Sequence, residues 1–316
     1  RTMTSFDQVL ESYDKQMKYW CDQMVSLLNA VDIAHQNVRP LPYLSTVMYG
    51  CIEKGVDVTK GGTKYNFTGP QGVGIGTAGD GLATIKQLVF EEKRVTGAEL
   101  IQAAEDNWVG HEPLYALVNS DYVHHYGNDD DYADELTKFA MDTYCKHIEH
   151  RPNAHGGFFQ PGCYSVTVNV AHGVKQWASI EGRTAFEPVS DCMGAVHTHC
   201  CSHDVKGPLA ICRSVTKLDH ARATNGTLLN WKFSPSALAG EVGRDNFIAL
   251  MDEYVHRKGM HSQFSVTSQE TLIAAQKDPD NYRDLLVRVA GYSAYFVELN
   301  KDLQDDIIGR TELSFD

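Results

Sequence analysis

Nowhere does this 316-residue chain carry an apolar run near the roughly 18 residues of a membrane span. Its first residues lack the order of a secretory signal peptide, so the expected location is the cytoplasm. The chain opens on Arg1 rather than Met, which reads as a processed or truncated piece. Basic excess is missing as well: 28 Lys+Arg stand against 41 Asp+Glu, a net charge of -13. Such a surface repels nucleic-acid phosphates and anionic membranes, so neither is an expected partner. Eight cysteines are too few for a disulfide scaffold at this length, and a reducing compartment is expected. The sequons Asn66-Phe-Thr68 and Asn225-Gly-Thr227 then read as chance matches. Internal repeats and low-complexity linkers are absent too. With 42% hydrophobic and 22% charged residues, the composition is that of a globular chain able to bury a core.

Periodicity supplies the elements. Ser5 and Gln8 form a capping-box pattern ahead of Phe6, Val9, Leu10, Tyr13, Met17, Trp20, Met24, Leu27 and Leu28, whose three- and four-residue steps predict a helix. Pro40 and Pro42 end it, and Cys51 to Gly81 reads mainly as structured loop. Helices are expected after Asp80, after Thr96 with Glu99 as its capping partner, and from about Asp131. Beyond Pro152, Tyr164, Val166, Val168 and Val170 alternate with polar residues and predict a strand. Further strands are expected at Leu209–Val215, Gln263–Val266 and Leu286–Val289, with a helical pattern around Phe247–Val255. Strands alternating with helices predict an α/β fold, with a C-terminal subdomain from roughly Arg244 onward.

Four motifs have chemical readings. Gly74-Ile-Gly-Thr-Ala-Gly79 matches the dinucleotide fingerprint, but the polar, Pro70-containing segment before it is no strand, and a tight loop is favoured. His197-Thr-His199-Cys200-Cys201-Ser-His203-Asp204 gathers metal-ligand types without a second, separated ligand pair. The expectation there is no metal, the alternatives being a polar pocket loop or capped histidines beside small cysteines. Glu53 is a lone loop carboxylate, either an acid/base group or a scaffold hydrogen-bond acceptor. The sharpest signal is Arg288-Val-Ala-Gly291-Tyr-Ser-Ala294. Gly291 reads either as a turn glycine needing positive φ or as a carbon able to hold an unpaired electron between a donating amide nitrogen and a withdrawing carbonyl.

Arg288 to Ser293 with Leu303-Gln-Asp-Asp-Ile-Ile-Gly-Arg-Thr-Glu312 resembles the C-terminal signature of the glycyl radical enzymes. Cys51–Asn66, Tyr126-Gly-Asn-Asp129, Pro161-Gly-Cys-Tyr-Ser165, Glu181-Gly-Arg183, Lys206-Gly-Pro208 and Asn225-Gly-Thr-Leu-Leu-Asn230 follow in the family's order, so the resemblance covers essentially the whole chain. It implies the C-terminal half of a ten-stranded α/β barrel, with Gly291 on a hairpin-like loop in its centre. Residues 1–243 would be the second half-barrel portion and 244–316 the glycine radical domain. No cofactor is implied beyond a radical on Gly291, installed by a radical-SAM, iron-sulfur activating enzyme. Arg288, Tyr292 and Ser293 would support the radical loop. The family's thiyl cysteine precedes the glycine by more residues than this chain contains. That cysteine and the first half-barrel are therefore expected on a missing N-terminal half or a companion chain. A homo-oligomer and small accessory subunits are further implied partners.

Phe158–Ser165 and Glu181–His199 look most similar to the fumarate-adding branch, the alkylsuccinate and benzylsuccinate synthases. The expected reaction is therefore addition of a hydrocarbon carbon to fumarate, with Val168, Asn169 and Val170 as substrate neighbours. The alternatives are a dehydratase or arylacetate decarboxylase on the same scaffold, a metal-binding module, and a small repair module that restores damaged enzyme.

Overall fold

The computed structural model describes residues 3–197 and 202–315. Helix α1 spans Phe6–Val38. Phe6, Val9, Leu10, Tyr13, Met17, Met24 and Leu28 pack on the core as their spacing predicts. Trp20 and Leu27 instead stay exposed, one residue off the inward stripe that Cys21 and Val25 occupy. Ser5 is the N-cap, yet its hydroxyl caps nothing; Gln8 Oε1 accepts the Thr4 N–H at 2.9 Å.

Two short helices follow, α2 (Pro42–Val47) and α3 (Cys51–Lys54). At the start of α3, Glu53 accepts the Gly50 N–H at 3.0 Å, which makes this carboxylate part of the scaffold. Strand β1 is Phe67–Thr68. Helix α4 runs Ile75–Thr84 and continues as a π-helical turn to Glu91, so it begins before the position expected from Asp80. Its glycines serve packing. A Cβ at Gly79 would stand 1.9 Å from Thr137 Oγ1, so only glycine lets α4 approach the helix that carries Thr137.

Helices α5 (Gly97–Glu105) and α6 (Glu112–Val118) come next; α5 carries the expected Thr96–Glu99 capping box. Helix α7, Asp131–Ile148, is capped by Asp130, whose carboxylate accepts the Tyr132 N–H at 3.0 Å. It lies between α4 and α1, touching α1 through Tyr13 and Phe139, with ring centroids 5.9 Å apart.

The chain then departs from two predicted strands. After β2 (Phe158–Phe159), residues 164–167 are irregular and α8 spans Val168–Gly173. The alternation is inverted there: Ser165 and Asn169 are buried while Val166 and Val168 are exposed. Leu209–Val215 is not a strand but lies in α9, Pro208–Val215, where Pro208 occupies the first turn. A short apolar run fits either element, and the Gly207-Pro208 start decides for a helix.

The C-terminal part alternates strand and helix: β3 (Asn230–Phe233), α10 (Gly240–His256), β4 (Gln263–Val266), α11 (Gln269–Lys277), β5 (Leu286–Arg288), β6 (Ser293–Tyr295), α12 (Lys301–Gly309) and β7 (Glu312–Leu313). The strands expected at Gln263–Val266 and Leu286–Val289 form, the second ending at Arg288. Strands β4, β3 and β7 make one parallel sheet in that order, so helices must return the chain between them, as an α/β fold requires. The expected half-barrel is not one continuous sheet. The described strands form this three-stranded sheet and two pairs, β1–β2 and β5–β6. No helix among the described residues is long and apolar enough to cross a membrane.

Candidate active site

Strands β5 and β6 form an antiparallel hairpin in which Val287 pairs with Ala294 and Arg288 with Ser293. Gly291 sits in its tip with φ +81°. A methyl group there would meet only Leu228 Cδ1, at 3.9 Å, so the left-handed backbone rather than crowding selects glycine. Beneath the tip lies an apolar cluster of Leu272, Ala275, Val287, Val289, Phe296, Leu303 and Ile307. Val289 and Ala290 are buried, whereas Gly291 and Tyr292 are exposed in this chain.

Three strands' worth of polar side chains reach the tip. The Gly291 N–H donates to Gln263 Oε1 at 2.8 Å, and Arg288 Nε donates to the same oxygen at 2.9 Å. Gln263 opens β4 directly beside Asn230, which opens β3, and its Nε2 donates to Asn230 Oδ1. Asn230 Nδ2 in turn donates to the buried carboxylate of Asp191. Ser265 Oγ donates to the Arg288 carbonyl at 3.1 Å. From the opposite side, Arg310 Nη1 donates to the Val289 carbonyl at 2.7 Å and Nη2 to Asp306 at 3.0 Å.

Of the expected substrate neighbours, Val168 is exposed, Val170 is buried and Asn169 donates to Asp306 Oδ1 at 3.0 Å. Asn169 thus belongs to the same polar shell, two links behind the hairpin. Val170 lines a cavity of about 320 Å³ with Phe186, His197, Asp302 and Asp306, beside the shell rather than at Gly291.

The histidine-rich segment splits. Thr198, His199, Cys200 and Cys201 lie outside the described residues. His197 pairs with Asp204 at 2.8 Å, and His203 with Asp80 at 2.7 Å. His203 also stacks on His125 with ring centroids 3.9 Å apart. Among the described residues, Asp80, His125 and His203 have ligand-type atoms within 4.8 Å of one another. Burial pushes the Asp80 carboxyl up to about 7 and the two imidazoles down to about 4. The Asp80 carboxyl also accepts the Tyr126 N–H at 2.7 Å, which ties this cluster into the packing of α4. At the glycine-rich motif, Ser190 takes the Gly74 and Thr77 N–H groups at 3.1 Å each, so two of the donors a phosphate would use at the start of α4 are already engaged.

These features coincide with two sequence families. Residues 1–173 match the pattern described as pyruvate formate lyase-like, and residues 198–297, which include the hairpin tip, match the glycine radical pattern. The chain belongs to the glycyl radical enzymes. It is 57% identical over 314 residues to the (2S)-3-sulfopropanediol dehydratase of Klebsiella oxytoca, covering 99% of this chain and 38% of that protein. It is 39% identical over 315 residues to the trans-4-hydroxy-L-proline dehydratase of Clostridioides difficile, covering 100% of this chain and 39% of that one. The solved glycerol-bound B12-independent glycerol dehydratase of Clostridium butyricum superposes with a TM-score of 0.94 at 42% identity, over 99% of this chain and 39% of that chain. This glycyl radical chain therefore spans about two fifths of the length of the relatives it matches.

The expectation of a fumarate-adding synthase is overturned, because these relatives are dehydratases. Much of the two segments that suggested it is scaffold. Phe158 and Phe159 pair with β1. Glu181 and Arg183 are almost fully buried, and Arg183 donates to the carbonyls of Trp177, Thr184 and Glu187. Residues that hold a loop together report the fold and not the reaction. Sequence reasoning missed Asp191, Asn230, Gln263, Asp306 and Arg310 as loop supports. The available signal was a polar residue at the head of each apolar strand, Asn230 and Gln263, where an apolar side chain would otherwise be buried.

Proposed function

We propose that this chain is the radical-bearing portion of a glycyl radical dehydratase acting on a small vicinal diol. The observation that carries the reading is the hairpin tip: a positive-φ glycine, anchored by its own N–H, in a chain 57% identical to a sulfopropanediol dehydratase over nearly its whole length. In this reading Gly291 stores the unpaired electron. A radical-SAM activating enzyme removes one Cα hydrogen from it. The remaining part of the enzyme, or a companion chain, supplies a cysteine that takes the radical and attacks the substrate, and it covers the exposed face of Gly291. Together they complete the ten-stranded barrel. Residues 244–316 then form the glycine radical domain. Arg288 and Ser293 hold the hairpin in register, Tyr292 covers its tip, and Val168, Asn169 and Val170 stand toward the substrate side, with Asn169 acting through Asp306.

Loss of water from a vicinal diol is redox-neutral and leaves an enol that becomes a carbonyl, so stored radical is returned each turnover and no external electron source is consumed. The test uses the full-length enzyme, activated without oxygen. Offered (2S)-3-sulfopropanediol, glycerol and trans-4-hydroxyproline separately, it is expected to release a carbonyl product from a diol. An activated enzyme that dehydrates neither diol overturns the reading.

A further inference from the structure

The hydrogen bonds between Asp191 and Gly291 all run one way. An ionised carboxylate only accepts, so Asn230 must present Nδ2 to Asp191 and therefore Oδ1 to Gln263. Gln263 must then present Nε2 to Asn230, which leaves Oε1 for the Gly291 N–H at 2.8 Å. Arg288 Nε, which can only donate, faces the same Oε1 at 2.9 Å and enforces the same orientation from the other end. Asn230 lies on β3 and Gln263 is its register partner on β4, so backbone pairing holds the two carboxamides side by side. Asp191 is buried, and its Oδ1 has no hydrogen-bond partner among the described residues. A carboxylate left half-satisfied in the interior is costly unless the bonds it does make are strong.

The geometry points to a polarising relay, Asp191–Asn230–Gln263, that draws the Gly291 amide hydrogen toward a buried anion and so strengthens electron donation from that nitrogen to a radical on the adjacent Cα. Aligned hydrogen bonds reinforce one another in a low-dielectric interior. The relay acts on the donor half of the captodative pair and fixes the plane of the tip amide. Asp191 and Asn230 are positioning residues, because they reach the glycine only through Gln263. The inference rests on the assignment of the radical to Gly291.

The test compares full-length wild-type enzyme with Asp191→Asn, Gln263→Glu and the double variant. Asp191→Asn removes the anion, and Gln263→Glu sets a carboxylate oxygen against Asn230 Oδ1. In the double variant Asn230 turns over. The new carboxylate at position 263 accepts from both the Gly291 N–H and Asn230 Nδ2, the new carboxamide at position 191 donates to Asn230 Oδ1, and an anion is again part of the chain. Asp191→Asn is expected to shorten the anaerobic lifetime of the radical about tenfold and to shift its ¹⁵N hyperfine coupling in ¹⁵N-glycine-labelled enzyme. Gln263→Glu and the double variant, which both set an anion directly on the Gly291 N–H, keep the lifetime at or above that of wild type. A lifetime and coupling unchanged in Asp191→Asn overturn the relay. Amide hydrogen exchange at Gly291 in unactivated enzyme separates the two claims. Slow exchange in wild type that quickens about tenfold in Asn230→Ala supports the relay whether or not a radical forms, and unchanged exchange overturns it. An organic radical missing from activated wild-type enzyme that retains slow exchange refutes the glycyl assignment instead.

Discussion

Arg310 donates to the carbonyl oxygen of Val289 at 2.7 Å, two residues before Gly291, while its second nitrogen grips Asp306 at 3.0 Å. The guanidinium is 8% exposed, so both bonds are made in a largely dry setting where a charged hydrogen bond contributes roughly 1.5–3 kcal/mol. Lysine offers a single ammonium and cannot span both acceptors. In full-length enzyme, Arg310→Lys is expected to raise amide exchange across residues 289–292 about tenfold while the exchange of α7 is untouched. Equal exchange at the hairpin would show that Arg310 does not anchor it.

Gly79 and Gly81 make a matched pair on α4. A Cβ at position 79 would collide with Thr137, at 1.9 Å from its Oγ1 and 2.7 Å from its Cα, whereas one at position 81 would meet only Glu181 Oε2 at 3.8 Å. Gly79→Ala is expected to cost ~1–3 kcal/mol or more, because the Thr137 backbone cannot yield without parting α4 from α7. Gly81→Ala is expected to be neutral or stabilising by ~0.5–1 kcal/mol, as for any glycine removed from a helix interior. Thermal midpoints of the two full-length variants should move in opposite directions or at least differ by several degrees.

Lys232 is buried on β3, with its ammonium donating to the Ile308 carbonyl at 2.9 Å. Burial lowers its pKa to about 8 despite the opposing charge of Glu312. The unfolded chain holds this proton up to about pH 10.4, so between about pH 8 and 10.4 the unfolded state binds more protons. Stability contributed by this group therefore rises with pH across that window and is flat below it. Lys232→Met should abolish the rise, and its stability relative to wild type should fall by roughly 3 kcal/mol from pH 8 to 10.4. Parallel pH profiles for the two proteins would contradict the placement of this lysine.

The hairpin was legible because its message is local. Arg288, Gly291 and Ser293 lie within six residues, and one strand pair and one positive φ realise it. Gln263, Asn230 and Asp191 were not legible because each meets the next only across neighbouring parallel strands or packed loops, at separations of 28 and 39 residues for the Gly291–Gln263 and Asn230–Asp191 bonds. Period-two reasoning failed at Tyr164–Val170, where polar Ser165 and Asn169 are buried along with Val170, Val166 and Val168 are exposed, and Asn169 is held by Asp306 from α12. It failed again at Leu209–Val215, where the helix start at Gly207-Pro208 outweighed the apolar run. The reaction branch was misread for a different reason: Glu181 and Arg183 are buried supports of a loop, and residues with that task carry no information about the substrate.

Electron paramagnetic resonance of the full-length enzyme, activated without oxygen, tests the central claim most directly. The account predicts a doublet that collapses when glycine is supplied with deuterium on Cα and that is absent in Gly291→Ala. That variant should still fold: the added methyl meets nothing nearer than 3.9 Å, so its cost is the left-handed backbone at φ +81° alone, on the order of 1–2 kcal/mol. A doublet that persists in Gly291→Ala, or diol dehydration by wild-type enzyme that carries no organic radical, would contradict it.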